Sequence, residues 1–220
     1  HDRCMRRDLC VAHGRRMLET LQIVAPHLDA AAESRRYSAI LAADTAGIVT
    51  MEGAPALLAS LPPGSWAIVT SGFRVVVPVV LRSGGLPAPQ VMVTAEDVLH
   101  GKPNPEPYLL AAARLGRIPA ECVVVEDAPA GLAAAAAAGM RSIAVASTHA
   151  PAELHAGTLL APRLSDIHVT SHADGTLTAP TSPAPAVLDA DDHKFRLDDE
   201  GVYRFHVTLA PPLDAMGDDL

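Results

Sequence analysis

VVVEDAPAGLAAAAAAGM, Val123 to Met140, joins a β-branched run to a small-residue helix through two adjacent acids. Three consecutive valines suit a strand buried on both faces in a sheet core. Glu126 and Asp127 fall at its carboxyl end, Pro129 suits the first turn of the helix that follows, and Gly139 its left-handed stop. The acids therefore stand at a strand-to-helix corner, where open α/β sheets bind their ligands. Taken alone, Asp127 has a second use there as a helix cap.

Outward from this corner the same alternation repeats. Trp66 to Gly72 (WAIVTSG), Val91 to Thr94 (VMVT) and Ser142 to Ser147 (SIAVAS) read as further strands. GAPALLASL reads as a short helix ahead of the first of them. NPEPYLLAAARLG reads as another, with Asn104 as cap, Pro105 in its first turn and Gly116 as stop. Helices alternating with buried strands predict an α/β fold with a parallel sheet covered on both faces. FRVVVPVVLRSGG is β-branched where the alternation asks for a helix, and Pro78 inside it predicts a bent one.

Before the sheet, Arg15 to Leu28 carries Met17, Leu18, Leu21 and Val24 at helical spacing. Asp29 caps a second helical stripe through Tyr37, Ile40 and Leu41. The expected organisation is a helical unit over 1–47, an α/β core over 48–170 and an extension over 171–220. In the extension a proline-rich linker precedes a hairpin around Glu200 and Gly201.

Composition narrows the partners. The 220 residues are 49% hydrophobic but only 3% aromatic, so the core is built from aliphatic side chains. A net charge of −8 argues against nucleic acid or an anionic membrane as the main partner. No apolar stretch is long enough to span a bilayer. Cys4, Cys10 and Cys122 form no disulfide framework, which points to a reducing, cytoplasmic setting. Oligomeric state is not readable from these features.

The chemistry gathers at successive strand ends. Thr70 and Ser71, with Gly72 next, offer hydroxyls and backbone N–H groups that can hold a phosphate. Lys102, in GKPNPEPY, can add a point charge to that phosphate. Glu126 and Asp127 are hard oxygen ligands that suit Mg²⁺.

IVTSG, GKPNPEPYLLAAARLG and CVVVEDAPAGLAAAAAAGMRSIAV resemble the second, third and fourth motifs of the haloacid dehalogenase-like hydrolases, across roughly Met51 to Val145. HGRRMLETL, from His13, resembles the cap module of sugar- and glycerol-phosphate phosphatases in that superfamily. The resemblance implies a Rossmann-like core with a partial helical cap, acting on a small phosphorylated metabolite with Mg²⁺ as cofactor. It also implies that Thr70 binds substrate phosphate, aided by Ser71 and Gly72. Lys102 would hold phosphate and nucleophile together, Asp127 with Glu126 would hold Mg²⁺, and His13 and Arg15 would sit near the leaving group.

The family's first motif, a strand followed by D-x-D-G-T, supplies the attacking aspartate, and it is not found here. SHADGTLTAP has His172 where that aspartate belongs and reads as a hairpin turning at Asp174 and Gly175. AVLDADDHK offers Asp189 and Asp191 without the glycine and threonine, and its use would need a permuted sheet. The expectation is a truncated or degenerate form of a phosphatase that works through an aspartyl-phosphate. The alternatives are a non-catalytic phosphate-binding relic and a phosphomutase.

Overall fold

The computed structural model describes residues 14–171 and 177–178. Two helices, α1 (Met17–Val24) and α2 (Ala30–Ala43), form a hairpin ahead of the sheet. Asp29 caps the second through its Oδ1, which accepts from the N–H groups of Ala31 and Ala32 at 3.1 Å each. The helical stripes are less buried than their spacing predicts, for Val24 and Ile40 stay exposed.

The core alternates as expected. Helix α3 (Ala54–Ser60) leads to β1 (Ala67–Val69), α4 (Val77–Ser83) to β2 (Val91–Val93), and α5 (Glu106–Arg114) to β3 (Val123–Glu126). Helix α6 (Pro129–Ala137) then leads to β4 (Arg141–Val145), and a loop to β5 (Leu159–Ala161). β1 pairs in parallel with β2, and β3, β4 and β5 form a parallel set in that order. Among the described residues no ladder joins β1 to β3. Apolar packing joins them instead. Ile68, Val123 and Val125 share one buried cluster with Leu57 of α3 and Leu81 of α4. Ala67, Val69 and Val124 share another with Ala111 of α5 and Ala134 of α6. Alternate residues of each strand thus face opposite helical layers, the period-2 consequence of the pleat.

Three local expectations change or sharpen. Pro78 does not bend a helix; α4 begins at Val77, which puts the proline in the first turn, where its missing N–H costs no bond. Asn104 stands one residue before the capping position of α5, which is Pro105, and its Oδ1 still accepts from Glu106 N–H at 2.9 Å. β5, in TLLA, went unread because a three-residue strand carries too little pattern. The flanks of the expected Asp174–Gly175 turn do pair antiparallel, as β6 (Thr170–Ser171) and β7 (Leu177–Thr178). The turn itself, Asp189, Asp191 and the predicted hairpin at Glu200 lie outside the described residues. Among the described residues no helix is long and apolar enough to cross a membrane.

Candidate active site

Strand ends supply the site. Thr70 directly follows β1 and extends its ladder, its N–H donating to Val93 O at 2.9 Å. The chain then turns tightly, and Gly72 N–H donates to Thr70 Oγ1 at 3.0 Å. Ser71 Oγ donates to Gly14 O at 2.7 Å, which draws the entry to α1 onto this rim. Gly14 also abuts the β3 corner: a Cβ there would stand 3.0 Å from the Cβ of Ala128.

Lys102 ties the two rims together. Its side chain is 2% exposed, and Nζ donates to Glu126 Oε2 at 2.7 Å and to Val69 O at 3.3 Å. One contact lies at the carboxyl end of β3 and the other at that of β1. Lys102 thus bridges the two strand ends that lead directly into Thr70 and Asp127. Tyr108, on α5, donates its hydroxyl to the same Oε2 at 2.7 Å, and its ring lies 5.0 Å from the ammonium. That distance is within cation–π range.

The two adjacent acids do different work. Glu126 is fully buried, and its Oε2 is taken by Lys102 and Tyr108 while Oε1 accepts from Ala128 N–H at 3.3 Å. Its carboxylate is the counter-ion of a buried lysine, and it shares none of these partners with the Asp127 carboxylate. The physical reason is the pleat: residue 126 points to the same side as Val124, toward α5, and its neighbour does not. Asp127 does not cap α6 either, since the capping position is Ala128 with no side-chain bond. Instead its Oδ2 meets the loop after β4, at 2.9 Å from Thr148 Oγ1 and 3.4 Å from Ser147 Oγ.

The segment leading into Lys102 is held from three directions. Arg16 Nη1 donates to Val98 O at 2.9 Å and Ala95 O at 3.3 Å, and Nη2 to Leu99 O at 2.7 Å. Glu106 accepts from the N–H groups of Leu99 and His100 at 2.8 and 2.9 Å. Glu19 accepts from Gly101 N–H at 3.0 Å. Burial pushes the Glu19 carboxyl up, but the bonds from Arg16 and Gly101 outweigh it and hold the group below its ordinary range. Gly101 admits this clamp because a Cβ there would stand 2.7 Å from Glu19 Oε2.

Arg15 is half-buried and makes no hydrogen bond to a described residue, while His13 lies outside them. Sequence reasoning missed Tyr108, Arg16, Glu19, Ser147 and Thr148. For Ser147 and Thr148 the signal was present, because they end a strand with hydroxyls just as Thr70 and Ser71 do. For Arg16 there was none, its partners lying about eighty residues away. Among the described residues no group of three His, Cys, Asp or Glu could hold a metal ion. Cys122 is no nucleophile: burial pushes its thiol up to about 12.

Comparison with known proteins places the chain in a family. The haloacid dehalogenase-like hydrolase family matches residues 8–139. Hexitol phosphatase A of Escherichia coli is 42% identical over 185 residues, spanning 82% of this chain and 81% of that protein. Glycerol-1-phosphate phosphohydrolase 2 of Saccharomyces cerevisiae is 42% identical over 98 residues, 41% of this chain and 39% of that protein. A hydrolase from Pseudomonas syringae superposes with a TM-score of 0.57 at 25% identity, over 70% of this chain and 75% of that one. A β-phosphoglucomutase from Clostridium difficile shares the fold, with a TM-score of 0.60 at 19% identity over 72% and 76% of the two chains. The chain belongs to the haloacid dehalogenase-like hydrolases.

Proposed function

We propose that this site binds the phosphate group of a small sugar or polyol phosphate, as part of a Mg²⁺-dependent phosphatase acting through an aspartyl-phosphate. The observation that carries the reading is the buried Lys102 ammonium at the junction of the β1 and β3 ends. A cation held there by Glu126 and the Val69 carbonyl is oriented before any ligand arrives, so binding costs it little rearrangement. In this reading Thr70 Oγ1, which accepts from Gly72 N–H, gives its own hydrogen to the phosphate. The names of the related hexitol and glycerol phosphate enzymes support a polyol or sugar ester as the substrate class.

The donor chemistry fits Mg²⁺ with Asp127 as the protein carboxylate, because Mg²⁺ is commonly bound through one or two carboxylates and keeps several waters. In this reading Glu126 serves through Oε2 as the partner of Lys102 and Tyr108, and Asp127 is the carboxylate that faces the cation. A cation there would offset the negative charge of the phosphate. The helical hairpin, with His13 and Arg15 at its start, takes the part of a cap over the leaving group. A free, buried Cys122 thiol accords with a cytoplasmic setting.

The attacking aspartate belongs to a D-x-D-G-T motif, and the 220 residues contain none. The reading therefore assigns phosphate and Mg²⁺ binding to this chain, and turnover to a protein in which that motif is present. The absent motif equally favours a non-catalytic phosphate-binding role, and one experiment separates the two. Calorimetry with inorganic phosphate and Mg²⁺ should show binding that Lys102→Ala and Asp127→Ala abolish. Phosphate release from glycerol phosphate and hexitol phosphates should appear once the motif is restored. No binding by the wild-type chain would overturn the site; binding without turnover by the restored protein would leave the non-catalytic role.

A further inference from the structure

The loop after β4 meets Asp127 at three side chains, none of which the phosphate-binding half of the site uses. Thr148 Oγ1 stands 2.9 Å from Asp127 Oδ2 and 3.1 Å from the Asp127 carbonyl oxygen. Ser147 Oγ reaches the same Oδ2 at 3.4 Å. His149 Nδ1 lies 3.1 Å from the Asp127 carbonyl and 3.0 Å from Thr148 Oγ1.

Donor and acceptor chemistry orders these contacts. A carbonyl and a carboxylate only accept, so Nδ1 of His149 carries its proton toward the Asp127 carbonyl and Thr148 Oγ1. The threonine hydroxyl, accepting from His149, gives its own hydrogen to Asp127 Oδ2. Ser147 adds a second, longer donor to that oxygen. The result is a chain of bonds running one way, from the β4 loop into the carboxylate. It fixes the rotation of a side chain that the adjacent helix leaves uncapped.

We propose that Thr148, supported by Ser147 and His149, is a positioning residue that holds the Asp127 carboxylate in the orientation a hard divalent cation requires. The inference rests on Asp127 being the cation ligand of the preceding section. Hydrogen-bond partners that orient metal ligands are worth about 10- to 100-fold in metal affinity elsewhere, and the same order is expected here. Valine has the shape of threonine without its hydroxyl, so Thr148→Val removes the bond and leaves the packing.

The test is calorimetric titration of the full chain with Mg²⁺ at neutral pH, with thermal melting to confirm folding. Thr148→Val should weaken Mg²⁺ binding about tenfold, Thr148→Ser should return most of it, and Asp127→Asn should abolish it. Titration with inorganic phosphate in the absence of metal should give the same affinity for Thr148→Val as for wild type. If Asp127→Asn abolishes Mg²⁺ binding while Thr148→Val leaves it unchanged, this inference alone is overturned. The same holds if Thr148→Ser binds as weakly as Thr148→Val, for the hydroxyl would then not be the acting group. If wild type does not bind Mg²⁺, or Asp127→Asn binds it unchanged, the reading of the site fails and the positioning role falls with it.

Discussion

Alanine at position 131 would favour helix α6 by about 1 kcal/mol over the glycine found there, and six alanines follow it. Glu126 is the reason the glycine stands. A Cβ at 131 would lie 2.1 Å from Cδ of Glu126 and 2.4 Å from its Oε2. The carboxylate would have to leave its place between Lys102 and Tyr108. Overpacking of a core costs about 1–3 kcal/mol, and separating a buried ion pair about 3–5 kcal/mol. Separating the ion pair exceeds the propensity gain outright, and overpacking exceeds it in all but its mildest form. Gly131→Ala is therefore expected to lower the stability of the chain by at least about 1 kcal/mol in urea denaturation, and to weaken phosphate binding through the displaced Lys102. A variant as stable as wild type would show that Glu126 has another place to go. At this scale the sequence was half legible. Strand ends placed Thr70, Lys102 and the acidic pair on one rim. The separate partners of the two acids were not legible, because they depend on alternation along β3, which sends Glu126 toward α5 with Val124, and on a loop after β4 that no local pattern ties to Asp127.

Between elements, the contact that matters most for the site is the one α1 makes with the segment 95–101. Arg16 engages three carbonyls there and Glu19 the N–H of Gly101, so the helical hairpin and the approach to Lys102 are fastened together. A guanidinium suits this because its donors fork in a fixed plane. Arg16→Ala is expected to loosen the segment by about 1–3 kcal/mol, seen as faster hydrogen exchange at Leu99, His100 and Gly101 with the strands of the sheet unchanged. Equal exchange rates would mean that Glu106 alone holds the turn. Glu19 adds a pH dependence with a definite sign. Its carboxyl is held below the ordinary range, so its contribution is present above the unfolded value of about 4.3 and is lost as pH falls through the lower folded value. Helices α1, α2, α5 and α6 were readable from caps, prolines and glycines. This clamp was not, since Gly101 lies 82 residues from Glu19 and no local pattern links them.

Across the whole molecule, Thr70, Glu126 and Asp127 stand at the carboxyl ends of parallel strands, and the opposite helical layers are fixed by packing that alternation alone made predictable. The charged network supporting the β2 side was not predictable. Asp97 accepts from Thr94 N–H and Oγ1 at 2.8 Å each, and from Arg114 at 2.8 Å, and pairs with Arg74 at 2.7 Å. It thereby joins the end of β2, the last turn of α5 and the segment after β1. Burial pushes this carboxyl up, yet the bonds from Arg114, Thr94 and Arg74 together outweigh it and hold the group far below the usual carboxylate range. A depressed folded value stabilises the protein above the unfolded value of about 3.9, and that stabilisation drains away as pH falls through the folded value. Asp97→Asn keeps the shape but removes the charge. At pH 7 it should cost of the order of 2 kcal/mol, the scale of hydrogen bonds to a charged group. The gap between variant and wild type should begin to narrow as the pH is lowered below about 4, because Asp97 of the unfolded chain takes up a proton there while the folded carboxyl resists it until a much lower pH. Thermal melts of both proteins across that range measure the gap directly, and a gap that stayed constant would show that the network works through shape rather than charge.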